Sequence, residues 1–332
     1  MRLRLLLIAT LLLSAAQGHA QPQDEHGRQQ AQAHQAYLQR VAGALSRERG
    51  ARELALAALL RAAGTQADAS SAATAPDPQA QAWLKTAAAR PDAGLPVLRL
   101  LTAAAAPDDG LRPAAARRWQ AAEPGNLMPL LHAGLDIDAL LAQARTASRA
   151  DGGMYEDVRW IAATLRRHPP DAAEQAAMTG GQEFHGDEAA AVAAMGLWAA
   201  SATPDYAALV EGCGQATLRA LPARGEDCRR VAVLLAEHST SLAGEHAGLA
   251  MLRALASTAA ERDAVDARQR GMDWRMLQWG RLARQQPRDG AAQFARLLAD
   301  ATIDSEQQLV ERVLAEGGVA PEPPPGWVPP RR

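Results

Sequence analysis

Three places in the chain combine residue types and spacings that could support chemistry. The first is a pair of cysteines, Cys213 and Cys228, fifteen positions apart and the only two present. In an oxidising compartment two such thiols form a disulfide. Closing a loop of that size stabilises the fold by about 3 kcal/mol in chain-entropy terms. The alternative is a reactive or metal-binding pair, but no C-x-x-C spacing supports thiol redox chemistry. Bridged Cα atoms must lie within about 7 Å of each other. One unbroken helix over 205–221 would leave Cys213 about 12 Å from its end, at ~1.5 Å per residue. Gly212 and Gly214 flank Cys213, and Pro222 and Gly225 follow. That helix is therefore expected to end, bend or pack steeply so that the sulfurs meet.

The second place is a repeated dipeptide, Glu237-His238 and Glu245-His246, eight positions apart. On one continuous helix this spacing sets the pairs ~80° apart around the axis, which suits a shared metal poorly. A zinc site also needs three or four ligands. Ser239, Thr240 and Ser241 lie between the pairs, so a helix break with a new N-cap is the favoured account. The third place is 179–188, where Phe184, His185, Asp187 and Glu188 follow two glycines. Such a loop can carry a ligand or catalytic group; equally, it can be a connection in which Asp187 caps the next helix. An enzyme reading, a hydrolase or a metal-dependent activity, would use this loop or the Glu-His pairs. It would require His185, His238 or His246 to meet a carboxylate in one cleft. His132 and His168 fall near helix ends, where a cation suits the dipole. No G-x-S-x-G elbow, H-E-x-x-H zinc helix, Gly-rich phosphate loop or EF-hand loop occurs, and no catalytic residue, metal or cofactor is assigned.

The elements that must carry these residues are helical. Apolar residues recur at helical spacing, as at Leu54, Leu56, Leu59 and Leu60 and at Val231, Leu234 and Leu235. Prolines 78, 91, 107, 124, 169, 204, 222 and 287 cut the chain into lengths suited to helices of two to five turns. Several are followed by a candidate cap, as in Arg90-Pro91-Asp92 and Pro169-Pro170-Asp171. Helices are predicted over 27–48, 50–63, 78–89, 93–105, 111–122, 126–133, 136–149, 154–168, 171–178, 187–201, 205–220, 226–238, 241–256, 258–285, 289–300 and 303–316. Stretches alternating in strand fashion are hard to find, and with three Tyr and two Phe the composition disfavours a β protein. The fold class expected is all-α.

At 332 residues the chain can bury a substantial core. A formal charge of −2 argues against a nucleic-acid surface. Residues 1–20 read as a cleaved secretory signal: Arg2 and Arg4, then an apolar run over 5–13, then Gly18-His19-Ala20 at the cut. That run is about half of the ~20 residues a membrane-spanning helix needs, so an uncleaved anchor is the lesser reading. No cysteine stands near the cut for lipid attachment. Arginine-rich, alanine-rich sequence with one lysine, Lys85, points to a GC-rich genome, so a bacterial periplasm or the secreted medium is the expected location. The body is expected over 21–317, with a loop or linker at 64–77. The Pro-rich segment 318–332 is expected to be a mobile or extended tail, with docking of its Trp327 onto the body as the alternative.

Five tryptophans precede a proline by five to nine residues: Trp83, Trp119, Trp160, Trp198 and Trp279. Each unit puts a large flat side chain within a helix and a stop after it, which is what stacked helical hairpins require. On the stretches from Trp83 to Gly94, Trp119 to Asn126 and Trp279 to Gly290, the chain resembles a degenerate tetratricopeptide-type repeat over 78–205 and again over 258–300. The first-helix tryptophan and glycine pattern of that family is missing, and the 124-to-169 proline interval does not fit its period. The resemblance implies an irregular α-helical hairpin array or α-solenoid whose five tryptophans fill the repeat core. It also implies a protein or peptide as partner.

Overall fold

The computed structural model describes residues 25–66, 77–105, 110–179, 186–202, 204–285 and 289–330. Among them the chain is all-α, with no strand beyond two isolated parallel bridges, Asn126 with Arg149 and Ala150 with Ser239. The first half comprises α1 (Glu25–Glu48), α2 (Ala51–Gln66), α3 (Pro78–Ala89), α4 (Leu95–Ala104), α5 (Leu111–Ala122), α6 (Met128–His132), α7 (Ile137–Gln143) and α8 (Met154–Arg167). It continues with α9 (Ala172–Thr179), α10 (Gly186–Ala202), α11 (Ala207–Gly212), α12 (Gln215–Ala220), α13 (Gly225–His238), α14 (Leu242–Leu255), α15 (Ala259–Gln285), α16 (Asp289–Ala299) and α17 (Glu306–Glu316).

Local chemistry explains several of the helix starts. Asp77 precedes Pro78 and accepts from the Gln79 and Ala80 amides, so α3 opens with a capped, proline-set first turn. Asp136, Ser241 and Ser305 accept amides at the starts of α7, α14 and α17. Asp171 and Glu174 exchange side-chain-to-amide bonds as a capping box on α9. Asp92 departs from this pattern. The sequence placed it as the cap after Pro91, but α4 starts behind Gly94, and Asp92 instead accepts the Ala51 amide at the head of α2.

Two predicted helices are shorter in the structure. The one expected over 136–149 ends in a 3-10 turn at Ala144–Thr146. Its remaining residues are drawn into tertiary backbone bonds: Ser148 N–H to Gly125 O, Leu127 N–H to Arg149 O, Ala150 N–H to His238 O and Thr240 N–H to Ala150 O, at 2.9 to 3.1 Å. The one expected over 205–220 breaks into α11 and α12 around Cys213.

Helices adjacent in sequence pack as hairpins: α1 on α2, α2 on α3, α4 on α5 and α13 on α14. The array is irregular because α10 also packs on α8, α16, α4 and α2, while α9 packs on α1. One hydrophobic core accordingly runs from Tyr37 to Val313, with a small second cluster of Leu242, Val310 and Leu314. Of the loop expected over 64–77, residues 67–76 lie outside the described residues, whereas 64–66 belong to α2 and Asp77 caps α3.

Candidate functional site

The cysteine pair is bridged, with Cα atoms 5.6 Å apart and both residues fully buried. α11 stops at Gly212, Cys213 is its C-cap residue, and Gly214 leads into α12. A β-carbon at Gly212 would stand 2.7 Å from Ile137 Cγ1, so glycine there lets α11 lie against α7 while delivering Cys213 to the first turn of α13.

The repeated Glu-His pairs sit on either side of a helix break. His238 ends α13, and Ser241 caps α14 by accepting the Gly244 amide at 3.1 Å. Neither glutamate meets a histidine. Glu237 pairs with Arg268 and Glu245 with Arg275, each at 3.2 Å, so two arginines seven apart on α15 match two glutamates eight apart across the break. Glu245 is buried and also accepts from Gln307, whereas His238 and His246 face solvent. No group of three or more His, Cys, Asp or Glu side chains placed to hold a metal exists among the described residues. In the 179–188 stretch, Phe184 and His185 lie outside the described residues. Asp187 and Glu188 occupy the first turn of α10, where negative charge suits the helix dipole, and Asp187 lies 3.6 Å from Arg166.

The five tryptophans all pack on the core. Trp119 and Trp198 are buried, while Trp83, Trp160 and Trp279 are half-buried. Two carry arginine on a ring face: Arg52 lies 4.1 Å from the Trp160 centroid and Arg61 lies 5.8 Å from that of Trp83.

The most chemically dense place was not legible as a motif. Arg99 of α4 is 8% exposed and Asp157 of α8 is 2% exposed. Arg99 Nε and Nη2 donate to both Asp157 oxygens at 2.8 Å, and Nη2 also donates to Glu156 at 2.6 Å. Arg52 approaches Asp157 Oδ1 at 3.5 Å from α2. Burial opposes the Arg99 charge, but the hydrogen bonds and charges of Asp157 and Glu156 outweigh it and hold the guanidinium more firmly protonated than usual. Gly153 makes room for this fork. It has φ +65°, and a β-carbon there would fall 2.4 Å from Arg99 Nε.

Beside this network lies a small cleft lined by Thr102, Trp119, Met128, His132, Trp198 and Ser201 together with Arg99 and Asp157. His132 stacks on Trp119, and burial, helped by the charge of Arg112, lowers its pKa to about 4. It is thus a neutral imidazole near pH 7, not the dipole-matched cation its position near the end of α6 suggested. His168 follows the end of α8, with Nε2 3.3 Å from Glu48. The cleft is narrow, with room for about one water. Its strongest polar groups already satisfy each other.

Three loops close over this region. Buried Asn126 accepts the amides of Met128 and Asp151 and donates to Glu123 and to the Asp151 carbonyl. Thr240 then reaches Asp151 Oδ1 from the α13–α14 turn. These bonds make the region a structural hub. No protein family, curated protein or solved structure matches the chain, so the class the molecule belongs to is set by its architecture: an all-α array of neighbouring helical pairs. No helix among the described residues is long and apolar enough to cross a membrane.

Proposed function

We propose that this chain is an exported helical-repeat protein of degenerate tetratricopeptide type that binds another protein or a peptide on its surface, in the bacterial periplasm or the medium. One observation carries the reading: the cleft beside the Arg99–Asp157–Glu156 network has room for about one water, and that network is internally satisfied. Recognition is then the work of outer helical faces, which the hub, the Cys213–Cys228 bridge and the Arg268 and Arg275 ion pairs hold in place. The bridge also supports the oxidising compartment. Site-specific photo-crosslinkers placed at exposed helix positions in living cells should give discrete adducts of defined mass from the cell envelope. Uniform absence of adducts from every face would overturn the binding reading, and a full-length N-terminus on the exported product would overturn the cleaved signal.

A further inference from the structure

Beyond α17 the chain doubles back as a strap. Gly318 takes a left-handed backbone, φ +66°, and the following residues run along α15 in reverse order. Gly317 comes against Leu282, and Val319, like Met276, Trp279 and Leu282, packs against the second hydrophobic cluster. The Trp274 Nε1–H then donates to the Ala320 carbonyl at 2.9 Å, and Glu322 Oε2 lies 3.7 Å from the β-carbon position of Gly271. Pro324 to Trp327 closes a turn: the Trp327 amide donates to the Pro324 carbonyl at 3.1 Å, with Gly326 at φ +78°. Proline second and left-handed glycine third is the type II pattern. This turn sets Trp327 edge-on against Trp274, ring centroids 5.3 Å apart and planes at 76°.

The receiving half of this contact belongs to the body. α15 presents an indole with its N–H available to a carbonyl and its ring available to a flat partner, beside the apolar step of Met276, Trp279 and Leu282. Proline-rich segments are held in this way: their carbonyls have no internal donors, and their stiffness leaves little entropy to lose on docking. The strap, with Pro321, Pro323, Pro324, Pro325, Pro329 and Pro330, is itself such a segment. Its hold is confined to few points. Ala320, Pro321, Glu322 and the Pro324–Gly326 turn are exposed, and Val328 projects at 74% exposure.

Resting on the binding reading above, the geometry points to the Trp274 face of α15 as a docking site for a proline-rich, aromatic-ended segment of a partner protein. The chain's own strap fills that face in cis and must be displaced before the partner can dock.

The test uses the full-length chain and a fluorescein-labelled synthetic peptide of residues 319–330, with a peptide in which all prolines are alanine as control. Trp327→Ala weakens the cis occupant, so this variant should bind the peptide about tenfold more tightly than wild type does, because more of its face is free. Adding Trp274→Ala should return binding to the level of the control peptide while circular dichroism stays that of the parent. Equal binding by wild type and Trp327→Ala, or full binding by the Trp274→Ala double variant, would overturn the proposal. A concentration-dependent wild-type dimer that the free peptide dissolves would also overturn it, by giving the face to a second copy. Loss of peptide binding alongside cellular adducts on other faces would remove this site and leave the surface-binding reading standing. Trp274-dependent peptide binding without any cellular adduct would support the face and count against the wider reading.

Discussion

Arg99 and Asp157 show how a single buried pair constrains a helical core. Burying both charges is costly, and the attraction between them offsets that cost only while both are present. Asp157→Ala should therefore destabilise the protein by about 3–5 kcal/mol in urea unfolding, because Arg99 would be left charged and without its fork. Arg99→Met combined with Asp157→Leu should cost much less than the sum of the single changes; additive losses would refute this account. His132 adds a pH dependence with a definite sign. Its folded-state pKa of about 4 lies below the ordinary 6.5, so the unfolded chain takes up the proton first. The contribution is complete above about pH 6.5 and is lost as pH falls toward 4, up to about 3 kcal/mol. His132→Leu should flatten the pH dependence of stability across that window, and an unchanged slope would refute the assignment.

Between elements, the α13–α14 hairpin brings two backbones close together. A β-carbon at Gly248 would lie 2.4 Å from the Ala236 nitrogen and 2.7 Å from the Ala232 carbonyl oxygen, so the two backbones touch there. Gly248→Ala should cost about 2–3 kcal/mol, since the obstacle is backbone and cannot swing aside. Gly196 in α10 has nothing within 4 Å of its β-carbon position, and Gly196→Ala should gain about 0.4–1 kcal/mol. Thermal melts of the two variants should move in opposite directions. Helix starts written in local sequence, such as Pro169-Pro170-Asp171 and Ser241, were legible because the capping group and the amide it satisfies lie within three residues. Asp92 was misplaced for the opposite reason: the amide it satisfies, Ala51, is distant in sequence. In the tail, Pro324-Pro325-Gly326-Trp327 spells a type II turn locally, whereas the choice between an extended tail and a docked Trp327 fell to α15, whose Trp274 receives the ring.

Across the whole molecule, α10 and α9 remove the independence that stacked repeats would have. Because α10 touches α2, α4, α8 and α16, opening either end strips core from the other. Unfolding should be one transition, with far-ultraviolet circular dichroism and tryptophan fluorescence changing together. Separate midpoints would show that the closure does not couple the halves. The arginine-bridged hairpins and the disulfide act on the same scale, tying the α11–α15 region into one body.

Helical class and the placement of most helices were determined by sequence alone, because periodic apolar spacing and prolines act over a few residues. The flanking glycines left open whether the chain ends, bends or packs steeply near the cysteine, and packing chose the break at Cys213. Tertiary structure decided the rest: that Arg99 and Asp157 form a buried fork, that Glu237 and Glu245 turn to arginines and not to their neighbouring histidines, and that Trp274 receives Trp327. Each of these joins residues whose separation along the chain carries no periodic trace, so only the packing of one helix on another brings them within reach.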